Sequence, residues 1–277
     1  MTVQGFFINL DRVPERADHM RRELDAAGLH EVERFSACDA RAGLDAAGYA
    51  PQSWGEYWTL KPSEIACFES HIALWQKIAA GDAAKVVFED DILTVPSLGA
   101  AVDALSAAAG AFDLIKLDGA PGAVRLGPVN TISGLAVRPI LQALSSSAAY
   151  LLSPDGARKL LDVSDQYCDH LDDFISRPRP GWRAFQLVPA LAVQGMFASP
   201  EAARRVPGAV AESERTSDTL INTGYDKGPT SYRLWKELRR ARRRAARALW
   251  ADRKLAAEGG LVGEIPLSDG LGAYRSG

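Results

Sequence analysis

The sequence predicts an α/β fold built on a mostly parallel central sheet. Short apolar runs alternate with helical patterns through at least residue 120. One such run, "KVVFEDD" (85–91), stops abruptly on Glu89, Asp90 and Asp91. Alternation of this kind calls for a sheet covered by helices on both faces. In such sheets ligands bind beyond the carboxyl ends of the strands, where the three acids sit.

Taken in order, "VQGFFINL" (3–10) reads as a buried strand. The next segment reads as a helix: Pro14 lies in its first turn, Ala17, Met20, Leu24 and Ala27 recur at helical spacing, and Gly28 ends it. "EVERFSA" (31–37) is a second strand, and 39–58 is a looser stretch rich in glycine. A helix over 62–80 carries the stripe Ile65, Phe68, Ile72 and Trp75, and leads into "KVVFEDD". "PSLGAAVDALSAAA" (96–109) is helical, "FDLIKLDG" (112–119) is a strand, and 118–134 is irregular. "SSAAYLLS" (146–153) is a strand, and "PDGARKLLD" (154–162) is a helix opened by Ser153 and Pro154. "WRAFQLVPALAVQ" (182–194) is a strand or strand pair broken at Pro189. Residues 200–230 read as a linker, 228–256 as a long basic helix, and "GGLVGEIPLSDGLGAYRSG" (259–277) as a flexible end. The expected division is therefore a domain over 1–215 and a linker with helical tail over 216–277.

Composition is that of an ordinary soluble globular chain, 47% hydrophobic and 24% charged over 277 residues. The three cysteines, Cys38, Cys67 and Cys168, are far apart and form no C-x-x-C pair, which points to a reducing compartment and away from a disulfide scaffold or structural zinc. The start lacks the charge and apolar pattern of a secretory leader, and no segment has the uninterrupted apolar length of a bilayer span, so a cytoplasmic protein is expected. The net charge of −3 hides an asymmetry. Between Arg233 and Lys254 ten Lys and Arg face two acids, a local +8 that leaves −11 on the rest.

The acids at 89–91 admit a bland reading, a strand end capping its turn. Two carboxylates about 4 Å apart, however, repel by roughly 4 kcal/mol at an effective dielectric of 20, so a cation is expected among them. Carboxylates are hard oxygen donors, which favours Mg²⁺ or Mn²⁺, and no His or Cys lies next to the triplet in sequence to favour zinc. Asn9, Asp11, Arg12 and Arg16, after the first strand, lie where a nucleotide base and diphosphate dock in such folds; Arg16 reads equally as a surface helix charge. "YCDHLDDF" (167–174) offers Asp169, Asp172 and Asp173, the first two three apart and expected on one helix face. Asp118 ends "IKLD" and is a further candidate. A Walker A element, G-x-G-x-x-G and G-x-S-x-G are all missing.

"FFINLDRVPERADHM", "LKPSEIACFESHIALW", "VVFEDDI" and "AYLLSPDGARKLL" resemble, in that order and spacing, glycosyltransferase family 25, which includes bacterial enzymes of lipopolysaccharide biosynthesis. The resemblance covers roughly residues 3–200. It implies a GT-A type nucleotide-binding fold and inverting transfer of a hexose, galactose first and glucose next, from a UDP-sugar. The acceptor it implies is a saccharide or lipid-linked saccharide. In such enzymes an Asp-x-Asp element holds Mn²⁺ or Mg²⁺ against the diphosphate; here Glu89-x-Asp91 takes its place, with Asp91 on the metal and Glu89 on the metal or the ribose. Asp90 points the other way in an extended chain, towards the sugar or neighbouring backbone. The resemblance also places Glu64, Ser70, His71 and Gln194 near the cleft, and favours Asp169 as the mid-chain aspartate. Asp169 or Asp172 is the expected base or acceptor binder. His71 between Phe68 and Ile72 also reads as a hydrogen-bonded core histidine. Two rival readings stand beside the transferase: a catalytically inactive membrane-surface or saccharide-binding protein on the same fold, and a metal-dependent nucleotidyltransferase that releases pyrophosphate.

Along the tail, Trp235, Leu238, Ala245 and Leu249 share one helical face with arginines around the rest, a pattern that suits an anionic membrane surface over 232–254. The acidic body opposes a duplex lying across it, so no nucleic acid is expected. A helix packed on its own acidic body is the alternative.

Overall fold

The computed structural model describes residues 3–44, 46, 48–50, 60–205 and 228–275. Its strands and helices follow the order β1 (Gly5–Asn9), α1 (Pro14–Ala26), β2 (Val32–Ser36), α2 (Pro62–Ala79), β3 (Lys85–Glu89), β4 (Ile92–Thr94), α3 (Leu98–Ser106), β5 (Leu114–Lys116) and β6 (Asp118–Gly119). Then come β7 (Val124–Leu126), β8 (Asn130–Ile132), β9 (Leu135–Pro139), β10 (Ala149–Leu152), α4 (Pro154–Asp162), α5 (Leu171–Ser176), β11 (Ala184–Leu187), β12 (Ala192–Gln194) and α6 (Pro200–Ala203). The chain closes with α7 (Thr230–Ala246), a π-helical turn (Arg247–Ala251), α8 (Asp252–Ala257) and β13 (Leu261–Gly263).

Eight strands form the central sheet in the order β2-β1-β3-β10-β5-β11-β9-β8. β2, β1 and β3 pair in parallel, β10 is inserted antiparallel between β3 and β5, and β11 returns parallel to β5. β9 then runs opposite to both β11 and β8. By direction the sheet is mostly parallel, as expected, with β10 and β9 reversed.

The alternation of side chains along the strands divides the core in two. Phe7, Val86, Phe88, Ile115 and Leu151 pack with Met20 and Leu24 of α1 and with Leu98, Val102 and Leu105 of α3. Ile8, Val87, Leu114, Tyr150 and Leu152 point to the other face, against Phe68, Leu74 and Trp75 of α2 and Leu160 of α4. Strands buried on both faces must be apolar throughout, which is why "KVVF" and "AYLL" carry no period of two. Burying each such side chain contributes about 1.5–3 kcal/mol. α2 follows the sequence signals at its start: Pro62 opens it, and the Glu64 carboxylate accepts the Lys61 backbone N–H at 2.9 Å.

Beyond the carboxyl end of the large sheet, three of its strands are prolonged into a small one ordered β4-β12-β6. β3 leads to β4 across Asp90 and Asp91, β5 to β6 across Leu117, and β11 to β12 across residues 188–191. Residues 118–134, expected to be irregular, hold β6, β7 and β8. These strands are only two or three residues long, too short for any periodicity to show. The stretch 39–58 shows a 3-10 turn at Ala40–Ala42, but residues 45, 47 and 51–59 lie outside the described residues. Of the linker expected over 200–230, residues 206–227 lie outside them as well, and Pro200–Ala203 is a helical turn capped by Ser199.

The C-terminal segment overturns one expectation. The long basic helix is present, but the residues after it are not a loose end. β13 pairs antiparallel with β7, Asp252 meets Arg125 through two hydrogen bonds of 2.6 and 2.5 Å, and Ile265 and Leu271 are buried. The Ala190 N–H donates to the Pro266 carbonyl at 2.8 Å, and the Arg275 N–H donates to the Phe197 carbonyl at 2.9 Å. Residues 261–275 thus strap the segment that carries β12. Glycine-rich composition suggested mobility, whereas backbone pairing and two buried side chains supply the order. No described helix is long and apolar enough to cross a membrane.

The strap is testable. Leu271→Ala is expected to lower stability by roughly 2–5 kcal/mol in urea unfolding, the cost of truncating a fully buried leucine. A flexible terminus would give a change near zero.

Candidate functional site

The site forms where the large sheet passes into the small one. Glu89 ends β3, Asp90 and Asp91 make the turn, and Gln194 ends β12 opposite Ile92. The turn sets Glu89 and Asp91 on Gln194 and Asp90 on different partners, Asn9 and Arg16. Asp90 accepts hydrogen bonds from Asn9 Nδ2 at 2.7 Å and from Arg16 at 3.3 Å. Arg16 is buried, so its reading as a surface helix charge does not hold.

Glu89 and Asp91 lie on the cleft side with Gln194 between them. Gln194 Nε2 donates to Glu89 at 2.9 Å and to Asp91 at 3.3 Å, so the two acceptor oxygens are at most about 6 Å apart. The Ser147 hydroxyl donates to Glu89 at 2.8 Å. Among the described residues no Lys or Arg pairs with either acid: Arg16 serves Asp90, and buried Lys116 serves Asp118 at 2.9 Å. Burial raises the Glu89 carboxyl far above its ordinary range, with Asp91 adding to the effect. The same burial, with Asp90 beside it, raises Asp91. Two carboxylates that resist ionisation because they are desolvated beside further acids, with the nearby Arg16 charge offsetting only part of this at Asp91, are a donor set that fits a divalent cation.

A second group of side chains extends the cleft. The Ser146 hydroxyl donates to Gln194 Oε1 at 3.2 Å, its backbone N–H donates to Asp172 at 3.1 Å, and its carbonyl accepts from Lys116 Nζ. Ser146 holds φ +71°, a left-handed conformation that aims its three polar groups at three partners. Asp172 therefore joins the Glu89–Asp91 pair through Ser146 and Gln194. Asp169 does not: its carboxylate is taken by Arg177 at 2.6 Å. It also precedes α5, which starts at Leu171, so the helix face expected to unite it with Asp172 does not exist. Asp173 is raised by burial and by Asp172. Asp118 is fully buried on Lys116, with Oδ2 lacking a hydrogen-bond partner.

At the β1 edge, Arg34 of β2 donates to Asn9 Oδ1 at 2.8 Å and to exposed Asp11 at 2.6 Å, and it holds the Asp11 carboxyl below its ordinary range. Arg12 pairs instead with Asp39 at 2.9 Å. Glu64 caps α2 and meets His170 at 3.3 Å, and the Ser70 hydroxyl bonds within α2 while receiving the Cys38 N–H. His71 is wholly buried, with Nδ1 2.7 Å from the Tyr150 hydroxyl, and burial holds it neutral, pushing its pKa down to about 3. Arg34, Lys116, Ser146 and Ser147 escape a reading of the sequence. The run Ser145–Ser147 was its only trace, and each of the four has a partner 25 to 58 positions away.

Comparison with known proteins adds the following. Residues 2–121 match the family model described as glycosyltransferase family 25 (LPS biosynthesis protein). A curated protein of Aedes aegypti named "Glycosyltransferase 25 family member" is 33% identical over 173 residues, covering 57% of this chain. The chain spans 27% of that relative's length. Among solved structures, a putative glucose-1-phosphate thymidylyltransferase from Bacillus anthracis in complex with a sucrose aligns at TM-score 0.40 and 8% identity, over 76% of this chain and 96% of that one. An active-site mutant of LgtC aligns at TM-score 0.36 and 11% identity, over 82% of this chain and 84% of that one.

The carboxylate pair predicts a pH signature. Burial, with Asp91 beside it, raises the folded Glu89 carboxyl above its unfolded value, so ionisation costs the wild-type fold stability as pH rises through and beyond the ordinary carboxylate range. With chelator present, Glu89→Gln should match wild type at pH 4 and exceed it at pH 8 by on the order of 1 kcal/mol. Parallel stability curves across that range would contradict the buried, uncompensated pair.

Proposed function

We propose that this chain, whose residues 2–121 match the model of glycosyltransferase family 25, is a member of that family and transfers a hexose from a UDP-sugar to a hydroxyl of a saccharide or lipid-linked saccharide, with inversion. Galactose is the favoured sugar and glucose the next. The observation that carries the reading is the pair of half-buried Glu89 and buried Asp91 at the carboxyl edge of the sheet, joined by Gln194 and without a salt-bridge partner among the described residues.

Asp91 and Glu89 would hold Mn²⁺ or Mg²⁺, which supplies charge neutralisation for the departing nucleoside diphosphate. Gln194 keeps the two carboxylates convergent. Asn9, Asp11 and Arg34 line the edge where the nucleoside docks, and Arg16 fixes Asp90 so that the turn cannot relax. The acceptor oxygen forms its bond to the anomeric carbon from the face opposite the leaving group. The bond from that carbon to the diphosphate oxygen breaks, and the hydroxyl proton passes to a carboxylate. Asp172 suits this last role better than Asp169, because it is tied to the cleft through Ser146 while Asp169 is held by Arg177. Glu64 and His71 act by positioning, Glu64 at the start of α2 beside His170 and His71 behind Glu89.

The tail fits a peripheral position on the inner, cytoplasmic face of a membrane. Leu234, Trp235, Leu238, Leu249 and Trp250 are all exposed along α7 and the π-helical turn, amid arginines. An apolar stripe with two tryptophans and a basic surround matches an anionic lipid interface.

Two measurements test these readings. UDP with Mn²⁺ should raise the melting temperature of wild type more than GDP or CDP does, and Asp91→Asn should abolish the rise. Turnover of UDP-sugar should then release UDP and fall by roughly 100-fold in Asp172→Asn, the scale of losing a general base. Pyrophosphate release would transfer the protein to the nucleotidyltransferases, and binding without turnover would make it a binding module. Vesicles containing anionic lipid should retain wild type at low salt and release a Trp235→Ala/Trp250→Ala double variant. Equal retention of both would remove the membrane role.

A further inference from the structure

The sequence places no Cys or His beside the acidic triplet, but the fold does. Cys67 and His71 lie one turn apart on α2 and share a face, and each brings one ligand atom to Glu89, the three atoms all within 4.8 Å of one another. His71 is completely buried, and among the described residues its Nε2 has no hydrogen-bond partner. Buried ring nitrogens are ordinarily satisfied, so an orphaned one beside a thiol and a carboxylate points to a missing ligand.

The other ring nitrogen has a partner, and in one of the two tautomers this engagement is the one a metal-binding histidine uses. Nδ1 lies 2.7 Å from the Tyr150 hydroxyl, which also accepts the Trp75 indole N–H at 3.0 Å. With Nδ1–H donating to the phenol oxygen, the Nε2 lone pair is available, and the ring orientation is fixed by two aromatic residues of the core. Sulfur, imidazole nitrogen and carboxylate oxygen together form a mixed set that prefers a borderline divalent ion to Mg²⁺. In a filled tetrahedral site the ligand atoms stand about 3.5 Å apart, so closure needs shifts of the order of 1 Å. Half-buried Cys67 and Glu89 can supply these by rotation. Three protein ligands leave one coordination position open.

We propose that Cys67, His71 and Glu89 form a binding site for a borderline divalent cation of the Zn²⁺ class, separate in ligand chemistry from the Glu89–Asp91 pair and sharing only Glu89 with it. The site stands whether or not the chain transfers sugar, because it is defined by side chains that need no nucleotide.

Co²⁺ alone, titrated into metal-stripped full-length protein without nucleotide, is the probe. Wild type should develop a thiolate-to-cobalt charge-transfer absorption in the near ultraviolet, saturating at a single equivalent and displaced by Zn²⁺. Cys67→Ser should lose that band and bind Zn²⁺ at least about tenfold more weakly. Cys38→Ser and Cys168→Ser should keep it, and so should Asp91→Asn. Cys67→Ala, checked for an unchanged melt, guards against misfolding of the serine variant. A wild type without the band, or a band that survives in Cys67→Ser, overturns the proposal. Cobalt binding without the band that is abolished by Asp91→Asn would also overturn it, by assigning the ion to the carboxylate pair.

Discussion

Glu89 and Asp91 are two carboxyl groups held together by one amide, each opposing ionisation of the other, and the surrounding structure serves to keep them so. When both are ionised at no more than about 6 Å, their repulsion is at least roughly 3 kcal/mol at an effective dielectric of 20, too large for a flexible turn to sustain. The turn is therefore clamped on each side. β3 is bracketed by β1 and β10 in the middle of the sheet, and the Glu89 N–H donates to the Ala148 carbonyl at 2.8 Å. β4 is paired to β12, and the Gly195 N–H donates to the Asp91 carbonyl at 2.7 Å. The residues least able to relax are those carrying the unfavourable interaction, the pattern expected of a preorganised binding site.

Charge pairing in the neighbourhood is selective. Glu89, Asp90, Asp91 and Asp118 meet at the carboxyl edge, and among the described residues Arg16 takes Asp90 and Lys116 takes Asp118, while the cleft-facing pair receives amide and hydroxyl donors. Neutral donors orient a carboxylate without cancelling its charge. A site meant only for stability would place a guanidinium between Glu89 and Asp91 and lose its appetite for a cation. Here Gln194 occupies that position, and the charge remains available to a ligand.

How much of this was legible depends on range. The fold class, the helices at 14–26, 62–79 and 154–162, and the central strands follow from local signals: proline at a first turn, glycine after a last one, unbroken apolar runs. The triplet at 89–91 was legible because three acids in succession at a strand end are local too. Ser146, Ser147, Lys116 and Arg34 were not, since their meaning lies in partners that only tertiary pairing supplies. Residues 118–134 and 259–275 were misread for a related reason. Strands of two or three residues and a glycine-rich strap owe their order to the surface they pair with, and carry no periodicity of their own. Asp169 shows the opposite error, in which a helical spacing was read where the helix begins two residues later.

The strap also bears on how the basic tail can work. α7, the π-helical turn and α8 form an unbroken helical run from Thr230 to Ala257 whose far end is not free to swing. Asp252 is held by Arg125, Arg138 donates to the Gly259 carbonyl at 2.7 Å, and β13 pairs with β7 a few residues further on. The chain then runs on to the segment before β12, the strand that carries Gln194, where Pro266 accepts the Ala190 N–H. Under the proposed membrane role, a surface engaged by Trp235 and Trp250 would be linked through these pairings to the segment that spaces Glu89 and Asp91. Docking by such a helix would set the orientation of the cleft as well as its location. That is what a transferase acting on a surface-bound acceptor requires, because the acceptor hydroxyl must reach the anomeric carbon from one side only.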